Sequence, residues 1–218
     1  MQAADFLLDL DGKVKSALDA LGKAAEGAAP EPSVRIADLL LVALKKELEA
    51  SEEAALWMTT EPDVEVKLAL ARQCGDEARH YRLIEARLRE LGVEQARIDP
   101  LRGGYGPMFQ FLASLTTSAE RVAAGQFTRE ALALVQNQVF IDYCEAEGDA
   151  ETAHLYRDII QPDERHHHEM GRKLLGRLAA SETAQALARA ASARTLELAG
   201  ELQEILRLKK GIARAPGC

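Results

Sequence analysis

Two copies of the pattern Asp-Glu-x-x-His contain the side chains of this sequence that are best suited to chemistry. The copies consist of Asp76, Glu77 and His80, and of Asp163, Glu164 and His167. On a helix, a Glu and a His three positions apart lie on one face, about one turn apart. The carboxylate and the imidazole could therefore bind the same divalent metal ion. One copy alone is weak evidence, because the spacing recurs by chance, as it does at Glu151 and His154.

Each copy also follows a glutamate in the preceding helical segment. Glu47 lies 30 residues before Glu77, and Glu130 lies 34 residues before Glu164. Four carboxylates and two imidazoles could then converge on two divalent metals that share bridging glutamates. The predicted metal ligands are Glu47, Glu77, His80, Glu130, Glu164 and His167, and the four glutamates among them are the predicted catalytic residues. Competing carboxylates lie nearby: Glu49, Glu52 and Glu53 for Glu47, and Asp142 and Glu145 for Glu130.

Helical periodicity places these residues on long helices. The apolar pattern predicts helices over residues 34–57, 60–91, 117–147, 150–178 and 181–210. An amphipathic stretch at 6–21 precedes them, and a short helix is expected at 108–115 within a long connection. The predicted N-caps are Ser33, Thr60 and Asp149, and the glycines predicted to end helices are Gly92 and Gly148. Pro162 is expected to kink the fourth long helix.

No segment shows the alternation typical of a strand, so the predicted fold class is all-α. Residues 34–180 are expected to form a four-helix bundle with one long crossover. Residues 1–33 form an N-terminal helical extension that ends in a linker over residues 26–32. Residues 181–218 form a C-terminal helix and a flexible tail.

With these motifs, residues 34–178 resemble the ferritin-like di-iron carboxylate superfamily. The spacing looks closest to the oxygenase and ribonucleotide-reductase small-subunit type. The resemblance implies a ferritin-like bundle in which the six predicted ligands hold the metals. It also implies that the aspartate of each motif hydrogen-bonds the histidine of the other. Asp76 would then orient His167, and Asp163 would orient His80.

The resemblance further implies an O₂-activating oxidase or monooxygenase with two iron or manganese ions and a small organic substrate. O₂ would be the co-substrate. Because no flavin or dinucleotide fingerprint is present, an external electron donor, delivered by a separate reductase, is expected. A ferroxidase or rubrerythrin-like protein and a manganese catalase are alternatives with the same centre. A metal-free helical interaction protein is the alternative from a different class.

Composition excludes some partners. Lys and Arg number 27 against 35 Asp and Glu, a net charge of −8, which argues against binding to nucleic acid or anionic membranes. Three cysteines without a CxxC pair predict a reduced, cytoplasmic protein. No signal peptide or membrane span is expected. A homodimer through the helix at 181–210 is predicted, and the substrate cavity is expected to be lined by Leu40, Phe127, Leu134 and Phe140.

Overall fold

A computed structural model describes residues 1–26, 34–212 and 215–217. The described residues form seven helices and no strand, which confirms the all-α class. The helices are α1 (Ala3–Glu26), α2 (Ile36–Thr60), α3 (Val64–Glu90), α4 (Pro107–Ala113), α5 (118–146), α6 (150–178) and α7 (Glu182–Lys210), with a short 3₁₀ turn at Gln95–Arg97. The predicted N-cap Ser33 and most of the predicted linker lie outside the described residues.

The boundary between α2 and α3 differs from its prediction by three residues. Thr60 is the last residue of α2, and Asp63 is the N-cap of α3, where its side chain accepts a hydrogen bond from the Val66 N–H. The physical reason is Pro62, which favours an extended backbone at the preceding residue. Glu61 is indeed extended, with φ −75° and ψ 122°, so α3 begins only after the proline.

Helices α5 and α6 each contain a π-helical segment shortly before a predicted ligand. Val122–Arg129 in α5 ends next to Glu130, and Tyr156–Ile160 in α6 lies four residues before Glu164. Pro162 follows the second segment and lies in the first turn of the α-helix Gln161–Leu178. A π-helical segment therefore adjoins Pro162, whose missing N–H interrupts the ordinary hydrogen-bond pattern of an α-helix.

Two apolar clusters fill the interior, and the predicted ligands lie between them. The Trp57 cluster includes Trp57, Leu70, Phe127 and Leu174. The Tyr156 cluster includes Leu44, Ile84, Phe140 and Tyr156. Each of α2, α3, α5 and α6 contributes to both clusters. The predicted ligands therefore occupy a buried polar layer that separates two apolar regions.

The order in which each helix crosses the clusters gives its direction. Helices α2 and α6 run from the Tyr156 cluster to the Trp57 cluster, whereas α3 and α5 run the opposite way. Because α3 and α5 share a direction, the connection over residues 91–117 has to return along their length. Its α4 segment packs against α2 on the way.

The C-terminal part packs on this arrangement. Helix α7 contacts α1 and α5 of its own chain, and it buries Ala188, Ala191 and Leu198 there. Part of the helix through which a homodimer is predicted therefore packs within its own chain, whereas Ile205 on the same helix is 43% exposed. The sequence also predicts a flexible tail, yet Ile212 and Ala215 are buried. No helix of the described ranges combines the length and apolar character needed to span a membrane.

Gly171 of α6 marks a close approach between helices. A Cβ at this position would lie 2.8 Å from the carbonyl carbon of Gln126 and 2.9 Å from the Phe127 nitrogen. Since both atoms belong to backbone, Gly171→Ala should lower the free energy of unfolding by about 1–3 kcal/mol. Urea denaturation measures this change in the free energy of unfolding. Gly75→Ala is the matched control because nothing lies within 4 Å of its added methyl, and there the change should be stabilising.

Candidate metal centre

Six buried side chains from α2, α3, α5 and α6 meet in the polar layer. They form two groups of possible metal ligands, one of Glu47, Glu77, His80 and Glu164, the other of Glu77, Glu130, Glu164 and His167. Within each group the ligand atoms all lie within 4.8 Å of one another. The structure thus brings together all six predicted ligands. Each group has three carboxylates and one imidazole, so each could hold one divalent ion.

The two groups overlap in Glu77 and Glu164. These two glutamates are 0% exposed and belong to both groups, whereas Glu47 and Glu130 belong to one group each. A carboxylate has two oxygens and can bridge two ions. The geometry therefore distinguishes two central carboxylates, Glu77 and Glu164, from two terminal ones.

Both histidines turn one nitrogen towards the carboxylates and the other towards an aspartate. His80 Nδ1 lies 3.2 Å from Glu77 and 3.5 Å from Glu47, and its Nε2–H donates to Asp163 at 3.1 Å. His167 Nδ1 lies 3.5 Å from Glu77, and its Nε2–H donates to Asp76 at 3.1 Å. The structure thus has the expected hydrogen bonds, in which the aspartate of each motif accepts from the histidine of the other. These hydrogen bonds fix the orientation of both rings.

The aspartates are themselves held by arginines at the rim of the polar layer. Arg72 donates to Asp76 at 3.2 Å, and Arg79 donates to Asp163. Both arginines are about half exposed. The charge of each aspartate is thus shared between a buried imidazole and a solvated guanidinium.

Buried carboxylates near one another do not all ionise. Burial raises the pKa of Glu47 to about 8, although the adjacent imidazole of His80 opposes the rise. Burial and the charge of Glu164 raise the pKa of Glu130 well above its usual range. At Glu77 burial is outweighed by His80, and the pKa is lowered. Without metal, the Glu77 carboxylate is therefore charged, and the terminal carboxylates of Glu47 and Glu130 tend to hold protons.

The imidazoles show the complementary effect. Burial opposes protonation of His80, but the carboxylates of Glu47 and Glu77 raise its pKa to about 12. His167 has a pKa of about 11, because Asp76 and Glu164 outweigh burial. In the metal-free protein both rings therefore act as the cations of the centre. A divalent ion would have to displace these protons in order to bind.

The competing carboxylates have other partners. Glu49 accepts a hydrogen bond from the Gly106 N–H at 2.8 Å, and Glu53 pairs with Arg129 at 2.5 Å. Asp142 accepts from Gln138 near the surface, and Glu145 pairs with Arg157. None of them, nor Glu52, belongs to either group of possible ligands.

Three residues near the centre do not follow from the motifs. Gln73 donates to Glu130, Arg129 Nη2 lies 3.8 Å from Glu130, and Arg129 also pairs with the buried Glu53. Burial raises the pKa of Glu53 to about 7 against the effect of Arg129. Gln73 lies four residues before Glu77 on the same helical face, a spacing that could have identified it. Arg129 has no comparable signal.

The other histidines lie outside both groups. His168 donates from Nδ1 to the Phe127 carbonyl at 2.7 Å and stacks on the Phe127 ring, while His154 pairs with Asp158 in solvent. In the run of three histidines, only His167 points into the polar layer.

The donor set fits divalent metals. Among the described residues, neither buried oxygen of Glu47 has a hydrogen-bond partner, and His167 Nδ1 is also without one. Buried polar atoms are usually satisfied, so these atoms are suited to metal coordination. Carboxylate oxygens with imidazole nitrogens suit iron, manganese and zinc. Two dications would also neutralise the four carboxylates.

The aspartates should control metal affinity through the histidines. Asp76→Asn or Asp163→Asn keeps the shape of the side chain but removes the charge that the imidazole N–H meets. We expect each to weaken metal binding about 10–100-fold, measured by titration against a competing chelator. Asp158→Asn is the matched control, because its partner His154 is an exposed histidine on the same helix. An equal loss in all three variants would contradict the positioning role.

Comparisons with known proteins identify no relative. No protein-family model, no curated protein and no solved structure matches the chain. The two overlapping groups of buried ligands are therefore the basis of the function that follows.

Proposed function

We propose that this protein is a dinuclear-metal oxidoreductase, with two iron ions as the favoured metals, that activates O₂ to oxidise an organic substrate. The observation that carries the proposal is the pair of ligand groups that share Glu77 and Glu164. A mononuclear site needs one such group. Two groups joined by common carboxylates are what a pair of adjacent ions requires.

The fold supports the same proposal. Each half of the ligand set consists of three residues, a glutamate from one helix and the Glu and His of a Glu-x-x-His motif from the next, as in carboxylate-bridged bundles. The shared direction of α3 and α5 fits an arrangement with one long crossover. We infer a ferritin-like four-helix bundle over residues 34–180, with α1, α7 and the tail packed on its outside.

The six candidate ligands would have different roles in holding the two ions. Glu77 and Glu164 would lie between the ions, Glu47 and Glu130 would each bind one ion, and the two histidines would complete the sites. A bound Fe(II) pair would supply electrons to O₂. Because all four glutamates are 0% exposed, their burial would keep bulk water from a metal pair held there.

A monooxygenation requires electrons from outside the substrate. R–H, O₂, two electrons and two protons give R–OH and water. We therefore propose an external two-electron donor, presented by a separate reductase.

Cys74 and Cys144 are free thiols, which is compatible with the reducing cytoplasm proposed for the protein.

Metal content and redox chemistry test this function. Purified protein should contain about two iron ions per chain, lose its ferric optical bands on anaerobic reduction, and regain them with O₂. Zinc alone, or one metal per chain, would overturn the proposal. Release of O₂ from H₂O₂ by a manganese-loaded protein would replace it with a catalase function. A multi-turnover oxidation without added reductant would contradict the external donor.

A further inference from the structure

A cavity of 540 Å³ lies beside the candidate metal centre and outside the layer of ligands. Its walls come from α2, the segment around α4, α5, α7 and the C-terminal tail. None of Leu40, Phe127, Leu134 and Phe140, from which a substrate cavity is expected, lines it. The size is within the range of small-molecule sites, roughly 300–1,000 Å³.

The walls of the cavity are mainly apolar. The apolar lining residues include Leu41, Val42, Met108, Phe109, Leu202 and Leu206. They come from three helices, α2, α4 and α7, so the apolar surface surrounds the cavity rather than forming one stripe. An apolar molecule would be desolvated on several sides when it binds there.

The charges along the cavity are the reverse of those of the whole chain. Five cationic residues line it, namely Lys45, Lys46, Arg97, Arg102 and Arg129, against three acidic ones, Glu49, Glu53 and Asp99. The whole chain carries a net charge of −8. Lys45, Arg97 and Arg102 all lie towards the exposed connection before α4, and Lys45 reaches the carbonyl oxygens of Arg102 and Gly104. Lys45 Nζ also lies 3.7 Å from Glu49, and Arg97 donates to Asp38 at 3.3 Å. An anionic group at this end would therefore share these cations with Glu49 and Asp38 and would also meet Arg102.

Only thin partitions separate the cavity from the candidate ligands. On one side, the ion pair of Arg129 and Glu53 lines the cavity while Arg129 also lies 3.8 Å from Glu130. On the other side, Gly217 lines the cavity and lies against Glu47, since a Cβ there would be 2.7 Å from Glu47 Oε1. A molecule in the cavity would thus reach the immediate surroundings of both terminal glutamates.

We propose that this cavity binds the organic substrate and that the substrate is an apolar molecule with one anionic group, a carboxylate or a phosphate. The anionic group lies near Lys45 and Arg102, and the apolar body extends towards Arg129. That the bound molecule is oxidised rests on the proposed function. The binding itself does not, because the cavity walls contain none of the six candidate ligands.

Matched probes of one size test the chemistry of the occupant. Calorimetric titration with 4-phenylbutyrate, 4-phenylbutyl phosphate, 4-phenylbutanol and 4-phenylbutylamine separates charge from apolar contact. We expect an anion to bind at least about tenfold more tightly than the alcohol and the amine. The comparison of carboxylate with phosphate identifies the anionic group. Equal affinity for the alcohol and both anions would overturn the anionic assignment.

Variants locate the binding site. Leu202→Trp should fill the cavity and weaken binding of the tighter anion at least about tenfold, and the milder Leu202→Phe should act in the same direction. Leu208→Trp is the control, because Leu208 is on the same helix but 69% exposed and outside the cavity. Lys45→Gln and Arg102→Gln should weaken binding of the anion but not of the alcohol. Unchanged binding in both Leu202 variants would place the ligand elsewhere.

The same variants separate this proposal from the proposed function. Leu202→Trp should keep the metal content of the unaltered protein. If the protein binds the anion but takes up no metal on reconstitution, the cavity proposal would be supported and the oxidoreductase proposal rejected. Two metals per chain together with no anion binding would do the reverse.

Discussion

Glu77→Gln and Glu164→Gln are each expected to remove nearly all bound metal, from about two ions per chain to well under one. The amide keeps the size of the side chain but provides only one good oxygen ligand and no charge. Because both residues belong to both ligand groups, either substitution damages both ion sites together. Elemental analysis of protein reconstituted with Fe(II) under anaerobic conditions measures the result.

The terminal glutamates should behave differently. Glu47→Gln and Glu130→Gln each alter one group and leave the other with three carboxylates and a histidine. We expect these variants to retain about one ion per chain. A dinuclear centre with shared carboxylates predicts this division between central and terminal positions, whereas a set of independent surface sites does not.

Glu85→Gln provides the matched control. Glu85 is a buried glutamate on α3, as Glu77 is, but its partners are Arg82 and Arg89 and it lies outside both groups. Its metal content should match the unaltered protein. Equal metal loss in Glu47→Gln and Glu77→Gln would reject the distinction between terminal and bridging roles. Full metal content in Glu77→Gln would reject the centre itself.

The convergence of the ligands could be predicted because it depends on helix geometry. The spacing of three residues fixes Glu77 and His80 on one face, and likewise Glu164 and His167, whatever the details of the loops. Glu47 and Glu130 follow once the motifs are placed on paired helices. Charge alone could not choose Glu47 over Glu53. That choice depends on Arg129, which is distant from Glu53 in sequence and pairs with it only in the folded chain.

Features that depend on contacts distant in sequence could not be predicted. The π-helical segment Val122–Arg129 has no repeat pattern of its own and packs against both α6 and α7. The cavity combines α2, α7 and the tail, which only tertiary packing brings together. The tail offers few apolar residues, yet the Gly217 N–H donates to Asn137 Oδ1 at 2.8 Å. Local periodicity contains no information about such contacts.

Metal-free protein is expected to lose stability as the pH rises from about 6 to about 8, by roughly 2 kcal/mol for each of three buried groups whose pKa is raised in the folded state. The pKa of Glu47 is raised by burial to about 8, so the folded state keeps a proton that the unfolded state releases near pH 4.5. The pKa values of His80 and His167 are raised to about 12 and about 11 by surrounding carboxylates. A raised pKa stabilises the fold below the unfolded value and loses this effect as the pH rises towards the folded value. All three groups therefore act in the same direction.

Bound metal should reverse the sign of this dependence. Ions bind the deprotonated carboxylates and neutral imidazoles, so affinity increases with pH. An ion present at about 1,000 times its Kd stabilises the folded state by about 4 kcal/mol. Stability of the Fe(II)-loaded protein should thus increase over the range in which that of the metal-free protein decreases. Anaerobic guanidinium denaturation with and without a chelator, at several pH values, measures both curves.

The substitution Glu47→Gln tests whether the candidate metal centre causes the pH dependence of stability in both the metal-free and the Fe(II)-loaded protein. In metal-free protein, Glu47→Gln replaces a buried carboxyl that must lose its proton at high pH with a neutral amide. The decrease in stability between pH 6 and pH 8 should become shallower, and the variant should exceed the unaltered protein in stability at the upper end. In Fe(II)-loaded protein the same variant should be less stable, because one ion site is lost. Parallel pH dependences with and without metal would show that these buried acids are structural and do not bind the ions.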